Sequence, residues 1–291
     1  MKKSTRMKEM LLDKKIAVVP SAYDGLSARV IQYCGFEALH LTGAGSSACL
    51  LGAADMGVAT ISEMATHAKN VVLSVDVPVI ADLDTGFGNA LNVYRCIQEY
   101  ERAGLVGCHL EDQVTPKRCG HLDGKQLISA NEMVGKIEAF KAARTDPDFL
   151  LIARTDARTG EGLDEAIRRA NIYQEAGADC IFVESPKSAD EMREIRKRVK
   201  GPLLANMVEG GKTPPIKTSD LEEMGYNIVI YPVTGWMGAA VTMRELMKEL
   251  RATGTTQGFW ERTNLKMSFA ELFDILGYQK FREIETKYVR E

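Results

Sequence analysis

The sequence lacks the signals that mark several large classes of protein. Its 291 residues contain no apolar run of the ~18 residues that cross a bilayer. The N-terminal segment, MKKSTRMKEMLLDKK, has neither the apolar stretch nor the small-residue cleavage site of a secretory signal. A formal net charge of −3 provides no basic field for a nucleic acid. These absences argue against a membrane protein and against a nucleic-acid-binding protein.

The cysteines are not arranged as a zinc site or a redox pair. No two of the six have the CxxC spacing of such motifs; they stand at positions 34, 49, 96, 108, 119 and 180. Four of them lie in apolar segments, which is typical of reduced thiols packed in a core. This pattern is consistent with a cytoplasmic location, which we expect for the protein.

The sequence does contain eight apolar runs of strand length, at residues 16–20, 38–43, 78–83, 107–111, 149–154, 180–184, 202–206 and 227–232. Helical patterns separate them, at 26–34, 61–74, 90–104, 131–143, 163–176, 188–199 and 218–224. Several of these helices end at a glycine, which adopts the left-handed conformation that stops a helix. Eight such units favour a (β/α)8 TIM barrel, although a doubly wound sheet also fits the alternation.

The ends of the chain add helices to this core. No low-complexity or linker segment divides residues 1–291, so we predict one barrel domain with a C-terminal helical extension over 236–291. Within it, helical patterns cover 236–252 and 267–289, and the second is too apolar for a solvent-facing tail. It is therefore expected to pack on the barrel or on a partner chain. At the other end, one face of a short helix is formed by Met7, Met10, Leu11 and Leu12.

Acidic residues follow several of the predicted strands, where a barrel carries its active site. They are Asp82, Asp84, Glu111, Asp112, Asp156 and Glu184. Residues i and i+2 of a strand point to the same side, so Asp82 and Asp84 repel each other unless a cation lies between them. Oxygen ligands favour Mg²⁺ or Mn²⁺ over zinc. The alternative is that Asp84, which precedes Thr85 and Gly86, caps the next helix.

Three further segments are candidates for ligand contacts. Arg154 ends the fifth strand, where it either pairs with a neighbouring acid or clamps an anionic substrate. The segment LTGAGSSA (41–48) follows the second strand, and its small residues let a ligand approach backbone N–H groups. The segment NMVEGGKTP (206–214) follows the seventh strand and is either a carboxylate-binding loop or an ordinary solvated loop.

Cys119 is the candidate for proton transfer. It lies in TPKRCGHLDGK, where Lys117, Arg118 and His121 are its basic neighbours. Positive neighbours lower the pKa of a thiol and make proton exchange near neutral pH feasible. The glycines at 120 and 124 would let this loop move as a lid. An ordinary loop thiol is the alternative interpretation.

Together these segments resemble the isocitrate lyase/phosphoenolpyruvate mutase superfamily over about residues 10–290. The matching motifs, in the order of that family, are DLDTGFGN, LEDQ, PKRCGH, ARTDA, ESP, NMVEGG and YP. PKRCGH resembles the catalytic loop of the carbon–carbon lyase branch, whereas phosphonate-cleaving members generally lack its cysteine. The resemblance implies a (β/α)8 barrel, Mg²⁺ and a small hydroxy- or keto-acid substrate. It also implies a homotetramer, in which each dimer exchanges a C-terminal helix between its subunits.

The resemblance further implies roles for single residues. The metal-site acids would be Asp82 and Asp84, with Asp84 nearer the ion, and Asp55 and Glu111 would lie in the outer shell of the metal site. Cys119 matches the proton donor, and Arg154 matches the substrate arginine. The other substrate-binding positions would be Thr42, Gly43, Ala44, Gly120, His121, Glu184 and Asn206. His40 stands where many lyases have a tyrosine, which makes it a further catalytic candidate, while the general base stays unassigned.

Departures from the family pattern indicate the substrate. Methylisocitrate lyases carry an arginine where this chain has Met237, and they tend to have a threonine where it has Val208. Both changes remove partners for an additional carboxylate. We therefore predict cleavage of a 2-hydroxy dicarboxylate with an apolar substituent, such as 2,3-dimethylmalate, into pyruvate and propionate. The alternatives are cleavage of 2-methylisocitrate, decarboxylation or hydrolysis of oxaloacetate, phosphonate cleavage, and a non-catalytic barrel that only binds ligands.

Overall fold

A computed structural model of the chain describes residues 1–120, 122 and 124–290. Over these residues, eight strands pair in parallel and close into a barrel in sequence order. The pairing of Ala17 with Ile228 joins the first strand to the last. The strands are β1 (Ala17–Ala22), β2 (Leu39–Leu41), β3 (Val79–Asp82), β4 (Gly107–Glu111), β5 (Leu150–Thr155), β6 (Cys180–Val183), β7 (Leu203–Asn206) and β8 (Ile228–Tyr231). The predicted barrel is confirmed, and the doubly wound alternative is wrong.

Helices alternate with these strands and continue beyond them. They are α1 (Lys3–Leu12), α2 (Gly25–Tyr33), α3 (Gly43–Leu51), α4 (Ile61–Ser74), α5 (Ala90–Ala103), α6 (Ala130–Ala143), α7 (Ala157–Gly160), α8 (Leu163–Ala176), α9 (Ala189–Arg198), α10 (Thr218–Glu223), α11 (Thr234–Thr253), α12 (Gln257–Thr263), α13 (Phe269–Ile275) and α14 (Tyr278–Tyr288). Two expectations need correction. The small-residue segment after β2 is a helix, α3, and the segment 267–289 contains two helices separated at Gly277, whose φ is +82°.

Alternation along each strand divides the apolar side chains into two cores. One core fills the barrel interior, and its members include Val19, Ile80, Ile152, Phe182 and Ile230. The other lies between the barrel and its helices, where residues of the opposite parity pack. The same rule decides which polar residues near the strand ends enter the barrel mouth.

Helix α1 closes the amino end of the barrel. Its Met7 and Leu11 are buried in the interior core. The Ser4 hydroxyl donates to Asp146 at 2.8 Å, and the Thr5 hydroxyl donates to Asp148 at 2.7 Å. The predicted N-terminal helix is confirmed, except that Leu12 lies outside its buried face.

Two adjacent leucines in α1 provide a matched test of whether this helix closes the amino end of the barrel. Leu11 is 1% exposed and Leu12 is 66% exposed. We expect Leu11→Ala to lower the free energy of unfolding by about 2–5 kcal/mol, because it removes buried methyl groups and leaves a cavity. Leu12→Ala is expected to change it by less than about 0.5 kcal/mol. Urea unfolding monitored by circular dichroism measures both changes in the free energy of unfolding. Equal effects would contradict the packing of α1 against the barrel interior.

The chain divides into two compact units, Met1–Thr234 and Gly235–Glu291. The first contains the barrel. In the second, Arg262 of α12 forms an ion pair with Glu249 of α11, and Glu249 also accepts a hydrogen bond from the backbone N–H of Phe259 at 2.7 Å. None of the helices in the described residues has the length and apolar character needed to cross a membrane. The single-domain prediction and the exchanged helix stay predictions.

Candidate functional site

Polar side chains near the carboxyl ends of five neighbouring strands share the inward parity of the barrel. They are Asp82 and Asp84 at β3, Glu111 at β4, Arg154 and Asp156 at β5, Glu184 after β6, and Asn206 at β7. All except Asn206 are buried, and Asn206 is partly buried. The predicted acids therefore gather in one mouth, as the strand alternation requires.

Asp112 has a structural role instead. It has the opposite parity to Glu111 and faces the helical layer. Its carboxylate accepts hydrogen bonds from the Thr155 hydroxyl at 2.8 Å, the Tyr173 hydroxyl at 2.8 Å and the Asp156 backbone N–H at 2.9 Å. Asp112, one of the acids that follow the predicted strands, therefore does not face the mouth.

Arg154 lies among three carboxylates at the bottom of the mouth. Its guanidinium donates to Asp156 at 2.9 and 3.1 Å, and its nitrogens lie 3.2 Å from Glu111 and 3.6 Å from Glu184. Burial acts to lower the pKa of Arg154, but Asp156 and Glu111 raise it well above its ordinary value. Burial acts to raise the pKa of Asp156, but Arg154 and Lys125 lower it to about 2. Arg154 is thus an ion-pair partner that also presents a fixed positive charge to the mouth.

Lys117 occupies the acid cluster that was predicted to hold a metal. Its Nζ lies 2.5 Å from Asp55 Oδ1 and 2.9 Å from Asp84 Oδ1, and its side chain is 3% exposed. Burial acts to lower the pKa of Lys117, but Asp84 and Asp55 raise it well above its ordinary value. The sequence identifies Lys117 only as a basic neighbour of Cys119. In the structure its single ammonium balances part of the charge of Asp55 and Asp84.

The donor set fits a hard divalent cation. Both carboxylate oxygens of Glu111 are buried without a hydrogen-bond partner, although Arg154 Nε lies 3.2 Å from Oε2. Burial raises the pKa of Glu111 and of Asp84, against the lowering effect of Arg154 on the first and of Lys117 on the second. In the described part of the chain, no three acidic, cysteine or histidine side chains meet at one ion position. A cation bound here would therefore contact only one or two of these carboxylates directly and would keep several water ligands, as Mg²⁺ commonly does.

The N-terminus of α3 faces the same acids. Thr42 caps this helix by accepting a hydrogen bond from the Gly45 backbone N–H at 3.4 Å. The first N–H groups of a helix have no partner inside the helix, so those of Gly43 and Ala44 are suited to an anion. A side chain at position 43 would collide with Asp82 Oδ2, and therefore glycine is required there. The predicted carboxylate-binding segment is thus the start of a helix.

Three buried polar side chains are hydrogen-bonded in a row below Asp82. The Ser21 hydroxyl is 2.8 Å from His40 Nδ1, and His40 Nε2 is 2.9 Å from His109 Nε2. His109 Nδ1 lies 3.3 Å from Asp82 Oδ1 but makes no hydrogen bond. Burial lowers the pKa of both imidazoles to about 3, with each further lowered by a positively charged or imidazole neighbour. Both rings are therefore neutral at physiological pH, and His40 reaches the mouth only through His109.

The loop that carries Cys119 lies on the mouth. Gln113 fixes its start, because the side-chain amide donates to the Arg118 carbonyl at 2.8 Å and accepts from the Arg118 N–H at 3.1 Å. Gly120 approaches so closely that an added Cβ would lie 2.5 Å from an Arg154 nitrogen and 2.7 Å from Glu184 Cγ. The Cys119 side chain is half-buried beside it. His121 lies outside the described residues.

The far side of the mouth is formed by Glu184 and Asn206. The Asn206 side-chain amide donates to Glu184 Oε2 at 3.0 Å, and its own Oδ1 is buried without a hydrogen-bond partner. The structure thus brings most of the predicted site residues together. It adds four residues without a role in the sequence interpretation: Ser21, His109, Lys125 and Ser185. Strand alternation could have provided a signal for two of them: Ser21 is two positions after the interior Val19, and His109 is two positions before Glu111.

The fold is a closed parallel barrel, and its carboxyl face carries carboxylates, a buried arginine and a thiol-bearing loop. The protein therefore belongs to the class of barrels that have an active site at that face. Comparisons with known proteins identify the family. A family model described as phosphoenolpyruvate phosphomutase matches residues 7–251. The chain belongs to this family, within the isocitrate lyase/phosphoenolpyruvate mutase superfamily.

Several known proteins are similar to the chain along almost its full length. It is 48% identical to 2,3-dimethylmalate lyase of Eubacterium barkeri, over 99% of each chain. It is 43% identical to 2-methylisocitrate lyase of Aeropyrum pernix, over 98% of this chain and 90% of that relative. A solved phosphonopyruvate hydrolase in complex with oxalate and Mg²⁺ matches with a TM-score of 0.89 and 30% identity, over 100% of both chains.

Proposed function

We propose that the protein is a Mg²⁺-dependent carbon–carbon lyase that cleaves a 2-hydroxy dicarboxylate such as 2,3-dimethylmalate into pyruvate and propionate. The observation that carries this proposal is the convergence of three features at one mouth. These are an incompletely neutralised carboxylate cluster, a helix N-terminus suited to a carboxylate, and Cys119 on a loop that touches Arg154. The 48% identity to a 2,3-dimethylmalate lyase supports the choice of substrate.

In this proposal the protein groups have distinct roles. The first N–H groups of α3 bind the C1 carboxylate, with Arg154 as the fixed positive charge beside it. Loss of the C2 hydroxyl proton lets the C2–C3 bond break, which forms the keto acid and leaves the bonding electron pair on the departing fragment. The Cys119 thiol then donates its proton to that carbon, and the fragment leaves as a simple carboxylate. The base that removes the hydroxyl proton is not assigned.

Asp84, Asp82, Asp55 and Glu111 are the residues that would hold Mg²⁺. The bound ion would supply positive charge for the substrate carboxylate and for the oxygen that loses its proton. Lys117 already lies between Asp55 and Asp84, so it balances part of the charge of these acids in the structure described here. The magnesium complex of a phosphonopyruvate hydrolase shows that such an ion occurs in the superfamily.

The substrate assignment is tested with a small panel of acids. We expect pyruvate release from 2,3-dimethylmalate with a kcat/KM at least about tenfold above that for 2-methylisocitrate, because a mispaired additional carboxylate costs at least about 1.4 kcal/mol. A coupled lactate dehydrogenase assay measures release. Chelation with EDTA is expected to abolish it, and added Mg²⁺ is expected to restore it.

The panel also separates the competing functions. A preference for 2-methylisocitrate would identify the main rival, which the 43% identity to a 2-methylisocitrate lyase keeps close. Turnover of oxaloacetate or of phosphonopyruvate alone would identify the other branches. A protein that binds no Mg²⁺ and cleaves none of these acids would be a non-catalytic barrel. We further propose that the protein is cytoplasmic and that it forms a homotetramer. Size-exclusion chromatography with light scattering tests the homotetramer.

A further inference from the structure

The carbonyl oxygen of Gly120 is held from two sides. Lys125 Nζ donates to it at 2.5 Å, and the Ser185 hydroxyl donates to it at 3.3 Å. Gly120 directly follows Cys119, the proposed acid. The Lys125 hydrogen bond, with a weaker contribution from Ser185, therefore fixes the backbone that carries the thiol.

Lys125 joins this carbonyl to the bottom of the mouth. The same Nζ atom lies 2.8 Å from Asp156 Oδ1, and the Lys125 side chain is 4% exposed. Asp156 in turn accepts both hydrogen bonds from Arg154. A charged donor buried between a carbonyl and a carboxylate binds more strongly than an exposed one, because water does not compete for it. The Cys119 loop is thus connected to the substrate arginine through Lys125 and Asp156.

Ser185 has a backbone conformation that is costly for a serine. Its φ is +57°, in the left-handed region that residues with a Cβ rarely adopt. Such strain persists where the surroundings over-determine it, and it is common at functional sites. In this conformation the single hydroxyl proton is shared between the Gly120 carbonyl at 3.3 Å and Glu184 Oε1 at 2.9 Å. The strain therefore accompanies a contact to the thiol-bearing loop.

We propose that Lys125 and Ser185 are positioning residues that hold the Cys119 loop over Arg154 in the state that transfers the proton. They act through the Gly120 carbonyl and touch none of the reacting atoms. The effect of this contact on turnover rests on the proposed function. Its effect on the position of the loop does not.

The test uses Lys125→Met in the full chain, with Lys125→Arg as the conservative variant and Lys69→Met, an exposed lysine of α4, as the control. We expect Lys125→Met to lower kcat for 2,3-dimethylmalate by about 10- to 100-fold, because a charge-assisted hydrogen bond is lost. The KM is expected to change less than about threefold, because the groups that bind the carboxylate are untouched. Lys125→Arg should recover part of kcat.

A second measurement reports on the loop without turnover. We expect iodoacetamide to alkylate Cys119 about tenfold faster in Lys125→Met than in the wild type, as measured by mass spectrometry of the Cys119 peptide. Ser185→Ala, read in the same way, decides the question if Lys125→Met fails to fold. Unchanged alkylation together with a kcat within twofold of the wild type would overturn the proposal. If the wild type cleaves no acid in the panel, the proposed function fails, and the alkylation rates still decide the role of Lys125.

Discussion

Replacing Cys119 with serine is expected to lower kcat for 2,3-dimethylmalate by about 10²- to 10⁴-fold, the contribution of a positioned general acid. Serine keeps the size of the side chain and its place beside Gly120, but a hydroxyl is a far weaker acid than a thiol. The loss should therefore appear in kcat and not in substrate affinity. Steady-state pyruvate release, with KM determined in the same experiment, measures it.

Two controls distinguish this role from a structural one. Cys34→Ser changes an exposed thiol in the segment that follows α2, and it should leave kcat unchanged. Titration calorimetry should show the same Mg²⁺ affinity for Cys119→Ser and the wild type, because the acid cluster is intact. If Cys119→Ser retained more than a third of the wild-type kcat, another group would have to supply the proton.

The barrel could be predicted from the sequence because its signals are local. Each apolar run is followed by a helical pattern, and glycines such as Gly104 and Gly177 end helices where the pattern places them. The small-residue segment after β2 was the exception. Its residues give no apolar stripe, and the helix becomes recognisable only when Thr42 is seen to cap it.

The members of the candidate site could also be predicted, but their contacts could not. Strand alternation places Asp82, Asp84 and Arg154 in one mouth without knowledge of any distance. The ammonium of Lys117 reaches Asp55 across 62 positions of chain, a contact that depends on how the loop folds back on the barrel. The contact of Lys125 with Gly120 depends on the same folding. Loop geometry of this kind has no sequence period that could reveal it.

Arg154→Met is expected to produce the largest loss of stability. Glu111, Asp156 and Glu184 surround the guanidinium, and all three are buried. Removing one partner of a buried ion pair leaves an uncompensated charge and costs about 3–5 kcal/mol. The variant should also lose turnover, because the fixed positive charge at the bottom of the mouth is gone. Urea unfolding at pH 7 measures the stability.

An exposed arginine provides the control for this substitution. Arg193 of α9 pairs with Asp190 at 2.7 Å, but both side chains are largely exposed. Exposed ion pairs contribute little to the stability of the folded state, so Arg193→Met should change the free energy of unfolding by less than about 1 kcal/mol. Similar losses in the two variants would show that the carboxylates around Arg154 do not depend on its charge.

The pH dependence separates loss of charge balance from loss of packing. In the wild type, the pKa of Asp156 is lowered to about 2, so its contribution to stability is present above the unfolded-state pKa near ~3.9 and is lost as the pH falls towards 2. Without Arg154, burial should raise the pKa of Asp156 and keep that of Glu111 raised, so that the folded variant binds protons more readily than the unfolded chain. Glu111 contributes to such an increase in both proteins as the pH falls from 7 to about 5. The stability of the variant should therefore increase more steeply than that of the wild type, by the additional contribution of Asp156. If the difference between the two proteins stayed constant over this range, the loss would come from packing around the missing guanidinium and not from the unpaired carboxylates.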